Sequence, residues 1–93
     1  MLSDRFFGYK YIFSESAKRD LKKLDKPIAK RILAKVDELV TRKECLDVKM
    51  MVGAVSPQYR LRVGDYRVIF IKEADEIVIV VIGVGHRRDV YKG

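Results

Sequence analysis

Hydrophobic and polar positions follow two different periods along the chain, a helical one in the first half and a strand-like one in the second. Residues 9–13 alternate large apolar and mixed side chains, which predicts a short strand. Ser14 comes next and is a favourable N-cap, so a helix is expected to begin there. Ala17, Leu21 and Leu24 then recur every three or four residues, the spacing of a helix with one buried face.

A second helix is predicted after a break at residues 25–27. Asp25 can cap this helix, and Pro27 is tolerated in its first turn. Its apolar side chains form one stripe, made of Ile28, Ile32, Leu33, Val36, Leu39 and Val40. Together the two amphipathic segments predict a helical hairpin.

The second half of the chain is rich in strand-forming residues. Residues 43–58 show no clear period and are expected to form an ordered loop, followed by β-rich runs at 59–63, 66–72 and 76–84. The last run is apolar on both faces, so it is expected inside the sheet. The pattern predicts an α+β fold in the order β-α-α-β-β-β, with an N-terminal strand and a two-helix hairpin packed on an antiparallel meander.

The turn at Gly64-Asp65 predicts the register of the first two strands of the meander. A two-residue loop with glycine first suits a type II′ turn. The expected pairs on the helix-facing side are Val63 with Tyr66, Leu61 with Val68, and Tyr59 with Phe70.

The same register places arginines together on the other side of the sheet. Arg62 falls opposite Arg67, and Arg60 lies two residues from Arg62. Like charges in this position weaken a sheet by up to about 1 kcal/mol. A bound phosphate would turn the repulsion into attraction, because guanidinium groups match phosphate oxygens. Taken singly, each of these side chains is better interpreted as a solvated surface arginine, but the convergence of three favours a bound anion.

Length and charge narrow the possible functions. With 93 residues, of which 48% are hydrophobic, the chain is expected to form a single domain over residues 1–93 with its own core. The net charge of +7 points to an acidic partner such as nucleic acid, an anionic surface or an acidic protein. Residues 1–50 contain nine Lys and four Arg, whereas residues 51–93 contain two Lys and five Arg, so arginine is concentrated in the predicted strands.

Several classes of site are not expected. Cys45 is the only cysteine and His86 the only histidine, too few for a disulfide or a zinc site, so no metal or small-molecule cofactor is predicted. The longest apolar run, residues 77–85, is about half the length of a membrane-spanning helix. We therefore expect a cytoplasmic protein with no membrane partner. Neither a nucleotide-binding loop nor a recognisable catalytic triad is present, which argues against most hydrolases and kinases.

Cleavage of RNA needs neither of those motifs. It requires a ribose 2′-hydroxyl aligned with the adjacent phosphorus, cations that stabilise the developing charge, and groups that carry protons. Arginines supply the charge, but they stay protonated at neutral pH and therefore carry protons poorly. His86 and Tyr91 are the more conventional proton carriers, although His86 could be structural and Tyr91 could anchor the C-terminal segment or stack on a base.

Three segments carry a family resemblance: residues 13–21 (FSESAKRDL), 59–70 (YRLRVGDYRVIF) and 84–91 (VGHRRDVY). From about residue 9 onward the chain resembles RelE-type toxins of the RelE/ParE superfamily. The resemblance implies the toxin of a type II toxin–antitoxin pair. The RelE branch enters the ribosomal decoding site and cleaves the messenger by 2′-hydroxyl attack without a metal.

The resemblance also implies roles for single residues. Arg67 matches the arginine that holds the scissile phosphate, Arg87 the one that acts on the leaving oxygen, and Tyr91 the tyrosine that stacks on or orients the nucleotide. Arg60 and Arg62 occupy positions where the family often has lysines, one of them proposed as the general base. As arginines, they are expected to bind phosphate or ribosomal RNA.

Two further expectations follow from the resemblance. Arg88 is expected to bind RNA with the other arginines, and His86 becomes a candidate catalytic residue because the base is unassigned. Residues 51–53 read Met-Val-Gly where Leu-Lys-Gly is common, so one basic contact is expected to be missing.

The leading hypothesis is a ribosome-dependent messenger-RNA endoribonuclease, an mRNA interferase that inhibits translation. Its expected partners are the ribosome, messenger RNA and a cognate antitoxin that covers the arginines with an acidic segment or an added helix or strand. One alternative is a ParE-like inhibitor of DNA gyrase without nuclease activity. Another is an inactive family member that only binds RNA or its antitoxin.

Overall fold

The computed structural model describes residues 5–41, 46–51, 57–73 and 75–86. In chain order, the described elements are β1 (Lys10–Phe13), α1 (Glu15–Lys22), α2 (Lys26–Thr41), β2 (Val48–Met51), β3 (Gln58–Val63), β4 (Tyr66–Lys72) and β5 (Val78–His86). The strands form one sheet in the order β1-β5-β4-β3-β2, in which β1 runs parallel to β5 and the other neighbours are antiparallel. The α+β class and the helical hairpin over a meander are thereby confirmed.

The helical hairpin begins where the sequence predicts. The side-chain oxygen of Ser14 accepts a hydrogen bond from the backbone N–H of Ala17 at 3.1 Å, which caps α1. The predicted stripe along α2 is buried at Ile32, Val36, Leu39 and Val40. The prediction was wrong for Leu33, which was placed in the buried stripe but is 41% exposed.

The register of the β3–β4 hairpin is also confirmed. Gly64 has a φ of +60°, as the first central position of a type II′ turn requires. Val63 pairs with Tyr66 and Leu61 with Val68. The apolar side chains on this face pack against both helices in one core.

The sheet differs from the prediction at both of its edges. Residues 48–51, expected within a loop, form β2, and β1 joins the sheet beside β5 to make it mixed. β2 is an edge strand in which only Val48 is buried, so it shows little of the apolar alternation that marks a strand. The position of β1 depends on a partner more than sixty residues away, which a local pattern does not reveal.

β5 is an inner strand, as predicted, and it contains a β-bulge. Ile69 pairs with Gly83, whereas the next residue of β4, Phe70, pairs with Val81, so Ile82 is the extra residue. Side chains beyond the bulge therefore change sides. Val84 points into the core, while Gly83 and Gly85 lie on the opposite face.

One aromatic cluster completes the core beneath β3 and β4. Phe6, only 1% exposed, makes edge-on ring contacts with Tyr9, Tyr59 and Phe70 at centroid distances of 5.1–5.5 Å. This cluster ties the segment before β1 to the middle of the sheet. Within the described ranges, neither helix has the length and apolar character needed to cross a membrane.

Candidate functional site

Three arginines gather on the side of the sheet that faces away from the helices; Arg60, Arg62 and Arg67 are hereafter the arginine face. Arg62 pairs with Arg67 across the β3–β4 hairpin, which confirms the predicted opposition. Lys49 on β2 pairs with Arg60 and adds a fourth cation to the same side.

The arginines differ strongly in burial. Arg67 is only 7% exposed, and its buried Nε has no hydrogen-bond partner among the described residues. Its Nη1 donates a long bond of 3.4 Å to the backbone carbonyl of Tyr66. The side chain of Arg60 is 13% exposed, and its Nε is likewise buried without a described partner. Because unsatisfied buried N–H groups are costly, both guanidinium groups are poised to bind an oxygen anion.

Asp47 supplies a partial counter-charge. One carboxylate oxygen accepts a hydrogen bond from Arg60 Nη2 at 3.2 Å, and the other lies 4.0 Å from Arg62 Nη1. Arg62 is more exposed and donates from Nε to the carbonyl of Gly64 at 3.3 Å. Among the described strand residues on this side, no carboxylate pairs with Arg67, so the potential there is positive.

We expect Arg62→Ala to leave the free energy of unfolding within about 0.5 kcal/mol of wild type, or to raise it, because the change removes a like-charge pair at an exposed site. RNA binding should weaken, and the slope of log affinity against log salt should fall by about one. Urea unfolding and filter binding at several salt concentrations measure both effects. Lys30→Ala, on the exposed surface of α2, is the charge-matched control. A clear loss of stability in Arg62→Ala alone would show that the arginine is structural.

His86 lies on the other side of the sheet. It pairs with Tyr66, and the two rings meet edge-on with centroids 5.5 Å apart. The cross-strand neighbour of Arg67 is Gly85. The structure therefore does not bring His86 together with Arg67, because the bulge in β5 turns the histidine towards the helical side. Arg87, Arg88 and Tyr91 lie outside the described residues, and the roles expected of them remain predictions.

Asp20 is a residue near the site that sequence reasoning missed. Its Oδ2 accepts a hydrogen bond of 3.0 Å from the backbone N–H of Val84, just beyond the bulge. β1 ends at Phe13, so this part of β5 has no strand neighbour on that edge, and α1 covers it instead. The sequence feature that could have revealed Asp20 is its position as the only acidic residue in the basic stretch at residues 18–23.

Replacing Asp20 by alanine should lower the free energy of unfolding by about 1–3 kcal/mol, because the Val84 N–H loses its acceptor. Asp20→Asn keeps an oxygen in place and should retain most of the stability. Urea unfolding and the hydrogen-exchange rate of the Val84 amide test the pair. Equal stability of the two variants would contradict this assignment.

Metal-ligating residues do not cluster in the part of the chain that the structure describes. No group of three or more His, Cys, Asp or Glu side chains is found there. The chemistry that the described site offers is the binding and electrostatic stabilisation of an anion by arginine.

Comparison with known proteins places these features in a family. A family model described as "ParE toxin of type II toxin-antitoxin system, parDE" matches residues 11–91. No curated protein matches the chain.

The fold resembles several solved toxin structures. With the RelE–RelB complex of Pyrococcus horikoshii OT3 it shares 28% identity at a TM-score of 0.70, over 89% of this chain and 99% of that one. The RelB–RelE complex of Methanococcus jannaschii gives 28% identity and a TM-score of 0.70, over 87% and 95% of the two chains. Isolated E. coli RelE toxin, at 24% identity and a TM-score of 0.67 over 89% and 90%, supports the fold. Since the family model spans nearly the whole chain, the chain belongs to the ParE toxin family of type II toxin–antitoxin systems, within the RelE/ParE superfamily.

Proposed function

We propose that this toxin is an endoribonuclease that cleaves messenger RNA on the ribosome and so inhibits translation. The observation that carries the proposal is the buried guanidinium of Arg67, whose Nε has no described partner, set opposite Arg62 and near Arg60. An arrangement of like charges is unfavourable by itself and favourable around a phosphodiester. The similarity to RelE toxins at 28% identity supports this branch of the superfamily.

The reaction that suits such a site is transesterification within the RNA. The 2′-oxygen forms a bond to the adjacent phosphorus, the bond from phosphorus to the 5′-oxygen breaks, and the products are a 2′,3′-cyclic phosphate and a 5′-hydroxyl. Arg67 holds a non-bridging oxygen and stabilises the charge that grows on the phosphorane, while Arg60 and Arg62 hold the neighbouring phosphates. The 2′-hydroxyl gives its proton to a base that the resemblance leaves unassigned, and the 5′-oxygen gains a proton, a step expected of Arg87. Tyr91 is expected to stack on or orient the nucleotide.

A cognate antitoxin is part of the proposal. The solved relatives from Pyrococcus horikoshii and Methanococcus jannaschii are complexes of RelE with RelB. Among the described residues, the arginine face and Lys49 place four cations beside the carboxylate of Asp47, and an acidic segment would neutralise this surface. Binding there would block the RNA site directly.

A translating extract tests the function. The protein should produce messenger 5′ ends phased with codons, and purified gyrase should supercoil DNA normally in its presence. Gyrase inhibition is the second candidate, since the matching family model carries the ParE description. An uncut messenger would overturn the nuclease proposal, and blocked supercoiling in the same preparation would establish the ParE-like activity instead.

A further inference from the structure

A groove of about 330 Å³ lies beside Arg67 on the same side of the sheet. Ile69 and the backbone of Gly83 face each other across its floor, and Gly85, the cross-strand neighbour of Arg67, lines one end.

The bulge in β5 opens this groove. Continuing the pairing of Phe70 with Val81 without the bulge would set Ile82 opposite Ile69 and Val84 opposite Arg67. The extra residue shifts the register, so Gly83 and Gly85 take these two positions instead. A branched side chain would fill the space beside the arginine, whereas glycine leaves it open.

Two polar side chains reach the groove from opposite sides. Gln58 comes from β3 and is half-buried. Asp20 comes from α1, beyond β5, and uses Oδ2 to hold the Val84 N–H. The amide can donate and accept, and the carboxylate accepts. Met51 and Ile69 are among the apolar residues that line the rest of the groove.

We propose that this groove binds one nucleobase of the RNA strand whose phosphate lies at Arg67, and that it favours bases with an exocyclic amino group over uracil. The inference rests on the proposed RNA-cleaving function. The volume lies at the small end of ligand sites, which run from about 300 to 1,000 Å³, and suits a single base. Amides and carboxylates recognise the amino groups of adenine and cytosine. Uracil has no such group, and its carbonyl oxygens would repel the Asp20 carboxylate.

Binding of uncleavable 2′-O-methyl dinucleotides measures this preference without requiring catalysis. ApA and CpC should bind at least about fivefold more tightly than UpU, and they should shift the NMR signals of the Ile69, Gly83 and Gly85 amides. An abasic ribose–phosphate analogue should bind at the arginines and leave those three signals in place.

Two variants of the same sheet face separate base recognition from charge. Gln58→Leu should reduce the preference for ApA over UpU at least about threefold, because one of the two polar contacts is lost. Lys49→Leu, outside the groove, should weaken every dinucleotide equally and keep the preference, because it removes only a charge.

The possible outcomes distinguish this inference from the proposed function. Equal binding of ApA and UpU, signal shifts that are identical with the abasic analogue, or no dinucleotide binding would overturn the groove assignment even if the messenger is cut. A preference that survives in Gln58→Leu would overturn the role of that amide. An uncut messenger together with base-selective binding would overturn the nuclease proposal and leave the groove assignment standing. If Gln58→Leu fails to fold, the wild-type comparison of dinucleotides still decides the matter.

Discussion

Arg67→Met is expected to lower the rate of messenger cleavage by at least about 10²–10³-fold, the usual effect of removing a preorganised group that stabilises transition-state charge. Arg67 is the most buried of the described arginines on this face, and a guanidinium held in a site of low polarity acts more strongly on a phosphorane than a solvated one. Methionine keeps much of the length and apolar surface of the side chain while removing its charge and donors. Single-turnover cleavage in a translating extract measures the loss.

The fold should tolerate this change. Arg67 faces Arg62 and has no carboxylate partner among the described residues, so its removal relieves a buried, uncompensated charge. We expect the free energy of unfolding to stay the same or to rise by about 1 kcal/mol. A variant that loses activity while gaining stability would be the signature of a residue placed for function.

Two further variants separate the loss of the Arg67 guanidinium from a general loss of positive charge. Arg31→Met removes the same group from the helical side, where Arg31 lies over Gly64, and should leave cleavage unchanged. Arg67→Lys keeps a charge but loses the planar fork, and it should restore only part of the activity. Cleavage by Arg67→Met at the wild-type rate would remove Arg67 from the site. A fall in stability of several kcal/mol would show that it holds the sheet together.

The sequence predicts those features of the site that depend on residues close together in the chain. Gly64-Asp65 fixes a two-residue turn, and the turn fixes every pair in the β3–β4 hairpin. The opposition of Arg62 and Arg67 is therefore predictable from the turn alone. The helical hairpin was equally predictable, since Ser14 and the spacing of apolar residues on α2 are local signals.

The remainder depends on contacts between distant segments. The bulge at Ile82 changes the side on which His86 lies, and nothing in the apolar run of β5 marks where it falls. Asp20 acts on Val84, sixty-four positions along the chain, and among neighbouring lysines it looked like an ordinary surface acid. Burial of Arg67 could not be inferred from alternation either, because alternation gives the side of the sheet and not the depth.

The sequence gives no sign that Phe6 is more important than its neighbour Phe7. Replacement of Phe6 should nevertheless change the free energy of unfolding more than any other substitution considered. Phe6 and Phe7 are adjacent and chemically identical, but Phe6 is 1% exposed and Phe7 is 45% exposed. The ring of Phe6 contacts both Tyr59 and Phe70 at 5.1 Å, on the two strands that carry the arginine face. It therefore supports β3 and β4 from the side opposite the arginines.

Phe6→Ala should lower the free energy of unfolding by about 3–5 kcal/mol, since it deletes a buried ring and leaves a cavity in the aromatic cluster. That is a large share of the 5–15 kcal/mol or so by which domains of this kind are stable. Phe7→Ala, the matched control, should cost less than about 1 kcal/mol. Urea unfolding of both variants gives the difference directly. Similar losses in the two variants would show that the segment before β1 does not pack on the sheet as described, and the support that it gives to the arginine strands would have to come from elsewhere in the core.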